Sequence, residues 1–234
     1  MGDRRNEGNP RIMVTQIRSD LWQTPSFSPF PGLTTHSYLW APANGENVLF
    51  YSPGDTADFD ALAELGGVAH QYLSHQDEAG PMLRRVAERF GARLHAPAAD
   101  LGGIEEHATP DVLLAERGSD AQRVEVIPTP GHTPGSTSFV VTGDGEERYL
   151  FTGDTLFRGA SGNWHAGFIP GMSDADDLRA ALAVLADTAP DLVASSAFAG
   201  ESGVHAVTPG EWRIAIEQAL AGLPAPSGAS SSAP

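Results

Sequence analysis

Two turns rich in glycine and proline each carry one side chain of a type that binds metals. His132 stands within Thr-Pro-Gly-His-Thr-Pro-Gly, at 129–135, and Asp154 stands within Leu-Phe-Thr-Gly-Asp-Thr-Leu-Phe, at 150–157. Each turn directly follows an apolar, strand-like run, and such turns hold the backbone stiffly while the side chain projects outward. The pattern therefore predicts strands that end beside a shared cleft, with His132 and Asp154 facing it.

A third segment also carries ligand-type side chains at close spacing. It reads Leu73-Ser74-His75-Gln76-Asp77-Glu78-Ala79-Gly80. Together the three segments resemble the metallo-beta-lactamase superfamily, and the resemblance extends over roughly Ile12 to Leu223. That family carries His-x-His-x-Asp-His-x-Gly here, so Leu73 replaces the first histidine and Glu78 replaces the last. The late histidine of the family corresponds to Phe198 in this chain.

The resemblance implies a metal site that keeps only part of the family's ligand set. In the family, the residue at the place of His132 binds the first metal, and the residue at the place of Asp154 bridges two metals or holds the only one. Carried over position by position, the ligands of one divalent metal are His75, His132 and Asp154, with Asp77 and Glu78 beside them as further candidates. Two imidazoles and a carboxylate leave positions open for water and substrate, so zinc is the expected metal, with iron or manganese as alternatives.

These residues predict a hydrolase in which one metal ion activates water against an ester, thioester, lactone or amide of a small molecule. Asp77 is the candidate catalytic residue, placed to orient that water or to act as its base. The alternative is a binding module that keeps the fold with little or no metal. An iron-dependent oxygenase similar to the persulfide dioxygenases is disfavoured, because their iron histidine corresponds to Leu73.

Structural roles compete with these interpretations. Ser74 followed by Asp77 fits a capping box for a helix that runs to Phe90. His70 is a poor replacement for the missing first histidine, because alternate residues of a strand point to opposite faces. His36 and His165 are interpreted as ordinary hydrogen-bonded or solvent-facing residues, although either could contact the rim of the cleft. Structural roles are assigned to three further histidines: His95, His107 and His205.

Apolar runs in two groups, each followed by helices, predict a mixed α and β domain. The resemblance implies an α+β fold, a sandwich of four layers in the order αββα. Strands are predicted near Met13–Ile17, Ser37–Trp40, Asn47–Tyr51, Ala69–Ser74, Arg93–Ala96, Arg123–Ile127, Thr137–Val141, Arg148–Thr152 and Leu192–Ser195. Helices are predicted at Asp58–Leu65, Gln76–Phe90, Ala175–Ala186 and Pro209–Leu223. Ser173 before an acidic turn and the pair Thr208-Pro209 mark two helix starts. The aromatic-rich segment 157–165 is predicted to be a loop that shapes a pocket or packs onto the surface.

Composition limits the location and the partners. The 234 residues suffice for one domain, predicted at 11–223, between a flexible segment 1–10 and a disordered tail 224–234. The chain has no cysteine, no signal-peptide core and no apolar run of membrane-spanning length, so we expect a cytoplasmic protein without a membrane partner. Its net charge is -16 and every basic residue is arginine, which argues against a nucleic-acid partner. The sequence leaves the oligomeric state open.

Overall fold

A computed structural model describes residues 14–55, 57–200 and 202–226. The flexible segment predicted at 1–10 lies outside these residues, as does most of the tail predicted at 224–234. Within the described part, no helix is both long and apolar enough to cross a membrane.

The first half of the chain supplies a seven-stranded sheet and one small hairpin. The strands are β1 (Thr15–Arg18), β2 (Leu21–Gln23), β3 (Phe27–Phe30), β4 (Leu33–Thr35), β5 (Tyr38–Trp40), β6 (Val48–Phe50), β7 (His70–Tyr72), β8 (Arg93–Pro97) and β9 (Val112–Leu114). The sheet has the order β1-β2-β5-β6-β7-β8-β9. Its pairs are antiparallel up to β6 and parallel from β6 to β9. Strands β6 and β7 are buried on both faces, as parallel strands usually are.

The second half supplies a six-stranded sheet. The strands are β10 (Gly118–Ser119), β11 (Glu125–Pro128), β12 (Thr137–Thr142), β13 (Arg148–Gly153), β14 (Leu156–Arg158), β15 (Trp164–Ala166), β16 (Leu192–Ser195), β17 (Ala197–Phe198) and β18 (Val204–Ala206). The sheet has the order β10-β11-β12-β13-β16-β18, in which only β13 and β16 are parallel neighbours. Strands β14 and β15 form a separate hairpin, and β17 joins β4 and β3.

Five α-helices lie within the described residues. They are α1 (Phe59–Glu64), α2 (Pro81–Phe90), α3 (Leu101–Glu105), α4 (Ala175–Ala186) and α5 (Pro209–Ala221). Helix α5 begins after Thr208 with a proline at its first position, as the sequence predicted. Thr208 and Glu211 also form a capping box, which the sequence analysis did not predict. Helix α2 ends at Gly91, whose left-handed conformation (φ 69°) closes the last turn.

Alternation of side chains along the strands produces the four layers. Phe50 of β6 and Phe151 of β13 point between the two sheets, where their rings stack with centroids 3.9 Å apart. Their neighbours point outward: Leu49 packs in a cluster with Leu62 of α1, and Leu150 packs in a cluster with Leu182 of α4. Each sheet is therefore covered by helices on its outer face, and the predicted αββα sandwich is confirmed.

The predicted helix Gln76–Phe90 is wrong in its first part. Gln76–Glu78 form a single 3-10 turn, Ala79 and Gly80 are extended, and α2 begins only at Pro81. A proline fits the first turn of a helix, and it pushes the residue before it out of the helical region, so Pro81 starts a new helix and interrupts the old one.

Two other local predictions also need correction. Asp174, rather than Ser173, caps α4, since its side chain accepts hydrogen bonds from the amides of Asp176 and Asp177. The segment 157–165 is not a plain loop, because its ends pair as β14 and β15. Of the predicted strand Met13–Ile17, Met13 lies outside the described residues.

Candidate metal centre

The candidate ligands converge because several strands end at the same edges of the two sheets. Strands β11, β13 and β16 run in one direction, so their carboxyl ends lie together, and they are followed by His132, Asp154 and Ser196. From the other sheet, β7 leads into His75 and Asp77. A hydrogen bond from the amide of Thr137 to the carbonyl of Ser74 joins the two sides. The predicted cleft between strand ends is therefore present.

His132 presents one unused nitrogen to the centre. Its Nδ1 lies 2.7 Å from the carbonyl oxygen of Gly167, which can only accept, so Nδ1 carries a proton, and in the neutral ring Nε2 has a free lone pair. Nε2 is buried and has no hydrogen-bond partner among the described residues. It lies 3.5 Å from Oδ2 of Asp77 and 3.7 Å from Oδ2 of Asp154. These separations leave space between the groups, because direct charged hydrogen bonds are about 2.7–2.9 Å long.

His75 points its Nε2 at the same place. That atom lies 3.6 Å from Oδ2 of Asp154, and the two imidazole rings are nearly perpendicular with centroids 4.9 Å apart. Ligand atoms of His75, Asp77 and His132 all lie within 4.8 Å of one another. The described residues thus bring together four of the five predicted site residues around one point: His75, Asp77, His132 and Asp154.

Glu78, the fifth predicted residue, lies behind His75 instead. The hydroxyl of Ser74 donates to its Oε1 at 2.6 Å, and the amide of Ser74 donates to its Oε2 at 3.0 Å. The same hydroxyl lies 2.8 Å from Nδ1 of His75. In the arrangement in which Ser74 gives its only proton to Glu78, the Ser74 oxygen accepts from Nδ1 of His75, and the lone pair of His75 lies on Nε2. Ser74 therefore pairs with Glu78, and the predicted capping box between Ser74 and Asp77 is wrong.

Burial and charge set the protonation of these groups in different directions. Burial raises the pKa of Glu78 to about 8, whereas burial lowers the pKa of His75. Burial also opposes protonation of His132, but the carboxylates of Asp77 and Asp154 outweigh it and raise the pKa of that imidazole. The neighbouring His132 lowers the pKa of Asp77, which keeps this partly exposed carboxyl ionised at neutral pH.

Asp100 joins the two loops that carry the ligands, and sequence reasoning missed it. Its carboxylate is buried and accepts hydrogen bonds from the amide of Gln76 at 3.0 Å, the hydroxyl of Thr133 at 2.6 Å and the amide of Gly135 at 2.7 Å. One side chain thus fixes the turn after His75 to the loop around His132. No local signal in the sequence identifies it, because all three partners lie more than twenty residues away.

Glycine at position 153 lets the Asp154 turn approach Ser74. Gly153 has a φ of +54°, and a Cβ there would lie 2.3 Å from the hydroxyl oxygen of Ser74. A side chain would therefore displace Ser74. Asp154 is further held by the hydroxyl of Ser196, which donates to its Oδ1. Ser196 was also not predicted.

Comparison with known proteins agrees with this geometry. The family model of the metallo-beta-lactamase superfamily matches residues 57–196, which is more than half of the chain. The chain belongs to the metallo-beta-lactamase superfamily. The resemblance inferred from the three ligand-bearing segments is therefore confirmed.

Relatives and solved structures extend the comparison. A hydroxyacylglutathione hydrolase from Anaeromyxobacter dehalogenans (strain 2CP-C) is 36% identical over 141 residues, which cover 57% of this chain and 51% of that protein. The chain spans about half the length of the curated relatives it matches. A metallo-beta-lactamase from Pontibacter korlensis has a TM-score of 0.67 at 17% identity and covers 90% of this chain and 97% of its own. ETHE1 from Myxococcus xanthus has a TM-score of 0.59 at 22% identity, with coverages of 80% and 84%.

At two positions where the superfamily motif has a histidine, this chain has an apolar residue in apolar or aromatic surroundings. Leu73 is fully buried in a cluster with Leu83, Leu94, Ala96 and Ile104. Phe198 is buried and stacks on His36 at a centroid distance of 5.2 Å. Ser196, two residues before Phe198, is the side chain of this segment that contacts the centre.

Three histidines that the sequence analysis kept out of the ligand set lie outside the candidate centre. His70 lies 2.9 Å from His95 and 3.0 Å from Glu46, away from the centre. His36 is held between Gln23 and the carbonyl of Thr24, although it also lines the cleft. His165 is exposed and lies beside Phe157.

The Asp100 contacts predict a positioning role that can be separated from simple packing. Asp100→Ala removes the acceptor of three donors, and each buried donor left unpaired costs about 1–3 kcal/mol. We expect a lower free energy of unfolding and zinc affinity reduced about 10- to 100-fold, as for other groups that orient ligands. Asp100→Asn keeps one acceptor oxygen and should lie between wild type and Asp100→Ala in both urea titration and zinc titration. Unchanged zinc affinity in Asp100→Ala would show that the two loops hold their positions without it.

The raised pKa of Glu78 predicts how pH changes the stability of chelator-treated protein. The folded state keeps a proton on Glu78 up to about pH 8, while the unfolded chain loses it near the ordinary value of 4.5. The contribution of Glu78 to the free energy of unfolding is therefore complete below pH 4.5 and is lost as the pH rises towards 8. The free energy of unfolding of wild type should fall relative to Glu78→Gln across that window. Glu116→Gln, at an exposed position, is the control and should run parallel to wild type. Parallel curves for wild type and Glu78→Gln would contradict the prediction.

Proposed function

We propose that this chain is a hydrolase that uses one divalent metal ion to cleave a thioester, ester, lactone or amide of a small molecule. The observation that supports it best is the buried Nε2 of His132, which has no hydrogen-bond partner among the described residues and faces two carboxylates and a second imidazole. An unpaired buried polar atom is costly, and a cation between these groups removes that cost.

The chemistry of the donor set fits a metal ion. His75 and His132 both place Nδ1 against a fixed oxygen, which leaves each Nε2 free, as in histidines that bind metals. The carboxylates of Asp77 and Asp154 balance the charge of a divalent ion. Zinc is the first candidate for two imidazoles and two carboxylates, with iron or manganese as alternatives. When bound, the ion supplies Lewis acidity, which acidifies water and polarises a carbonyl group.

The side chains of this chain supply the rest of the proposed mechanism. Asp77 is partly exposed to the cleft and its low pKa keeps it ionised, so it is placed to accept a proton from a water molecule and to orient it. Ser196 fixes one oxygen of Asp154, and Gly167 fixes the ring of His132. Glu78 acts through Ser74 and orients His75, so we propose it as a positioning residue and not as a metal ligand.

The comparisons support hydrolysis of a thioester in particular. The curated relatives are hydroxyacylglutathione hydrolases, which are thioester hydrolases. The superfamily match spans residues 57–196 and contains all the candidate ligands. We therefore place thioesters first among the four substrate types.

Removal of His132 provides the direct test of the metal. Zinc-loaded protein that is then dialysed against zinc-free buffer should retain at most about one equivalent of zinc. His132→Ala should lower zinc-dependent thioester hydrolysis by more than about 100-fold, because losing a metal ligand costs more than losing a residue that only orients a ligand. His165→Ala is the control, since that histidine is exposed and outside the centre. Metal content by atomic absorption and thiol release are the measurements.

Two outcomes would contradict different parts of this proposal. Two equivalents that resist dialysis would restore a two-metal site. Zinc that neither binds nor supports hydrolysis would overturn the proposed function and favour a binding module.

The position of Leu73 gives a second test. Leu73→His introduces an imidazole where the superfamily has one, and we expect tighter zinc binding. The buried polar group should cost about 1–3 kcal/mol without metal, because Leu73 is now packed in an apolar cluster. Zinc should recover part of this loss by binding the folded state. Thermal melts of wild type, Leu73→His and His132→Ala with and without zinc measure both effects. If zinc raises the melting temperature of Leu73→His no more than that of wild type, position 73 does not reach the metal.

A further inference from the structure

The cleft around the candidate metal centre has walls that are largely apolar. It encloses about 800 Å³, within the range of about 300–1,000 Å³ usual for small-molecule sites. The β3–β4 hairpin, helix α2, the β14–β15 hairpin and the segment after it supply the apolar side chains: Phe27, Leu33, Met82, Phe157, Phe168 and Ile169. Ile169 remains 38% exposed. Apolar surface of this kind, continuous with the site, is stabilised when a ligand covers it.

The same cleft offers little to an anionic ligand. Among the described residues that line it, Arg85 is the only arginine, and the chain has no lysine. Its guanidinium donates to the sulfur of Met82 and lies over the ring of Phe59 at 5.5 Å. Four carboxyl groups line the cleft, those of Asp55, Asp77, Glu78 and Asp154. A divalent ion in the centre would offset part of their charge without making the outer wall cationic.

We propose that the cleft takes neutral thioesters or esters with an apolar acyl chain of several carbons, and that it disfavours substrates that carry glutathione. Glutathione has two carboxylates, whose recognition needs cationic partners that the walls supply only once, at Arg85. An aliphatic acyl chain instead covers Phe157, Phe168 and Ile169. This substrate assignment rests on the proposed hydrolytic function.

A matched series of thioesters tests the assignment with zinc-loaded wild type. Acetyl, butanoyl and hexanoyl thioesters of N-acetylcysteamine differ only in acyl length, and kcat/KM should rise about fourfold for each buried methylene. Hexanoyl-N-acetylcysteamine and hexanoylglutathione differ only in the thiol, and the neutral thioester should have the higher kcat/KM. A flat length series or a higher kcat/KM for hexanoylglutathione overturns the substrate assignment and leaves the proposed function standing. No zinc-dependent hydrolysis of any thioester overturns both.

Variants of exposed isoleucines test whether the cleft wall sets the preference for the neutral thioester. Ile169→Lys adds a cation to the cleft wall, and it should raise the ratio of kcat/KM for hexanoylglutathione to that for hexanoyl-N-acetylcysteamine at least about fivefold. Ile214→Lys is the matched control, because Ile214 is also an exposed isoleucine but lies on α5 outside the cleft. The control should leave the ratio unchanged. Equal ratios in the two variants overturn the assignment of this wall to the substrate.

Binding without turnover gives an independent measurement. Calorimetric titration of the protein with 2-octanone, a neutral carbonyl compound that cannot be hydrolysed, should show tighter binding than titration with S-hexylglutathione, a thioether. Tighter binding of S-hexylglutathione to wild type overturns the assignment even if hydrolysis is observed.

Discussion

The carboxylate of Asp100 holds together the two loops that carry the imidazoles, which a backbone hydrogen bond from Thr137 to Ser74 also joins. It pairs with an amide of the turn after His75 and with an amide and a hydroxyl of the loop around His132. A buried carboxylate needs several donors to offset the loss of water, and here three donors from two segments meet that need. The separation of the two imidazoles therefore depends on a carboxylate that is not itself one of the candidate ligands. The sheets supply the strand ends, and Asp100 sets how those ends face one another.

The centre combines the converging strand ends of this fold with side chains that depart from the superfamily motif. Where the superfamily motif has imidazoles, this chain has Leu73 in an apolar cluster and Glu78 in hydrogen bonds with Ser74. The carboxyl of Glu78 thus takes part in the centre through a serine and a histidine. This arrangement concentrates acidic groups around few imidazoles, so the protonation of the whole set is coupled to the presence of a cation.

Short-range patterns allowed the convergence of the candidate ligands to be predicted, whereas the groups that support them could not be predicted. His132 and Asp154 lie in turns that a local reading recognises, and the layers follow from alternation along strands such as β6 and β13. Asp100 and Ser196 act through contacts across long stretches of chain, which local patterns do not encode. The helix predicted from Gln76 failed for a local reason, because Pro81 outweighed the apolar periodicity.

The β14–β15 hairpin hydrogen-bonds as a separate two-stranded sheet, yet Trp164 anchors it in the core beneath α4 and α5. Phe157 of the same hairpin lines the cleft. Anchorage and ligand contact are thus divided between different side chains of one small element. Such a division lets the hairpin diverge, through substitutions or changes in turn length, while the ligand-bearing loops keep their sequence. Side chains that contact a bound molecule can then change without altering the loops that carry the candidate metal ligands.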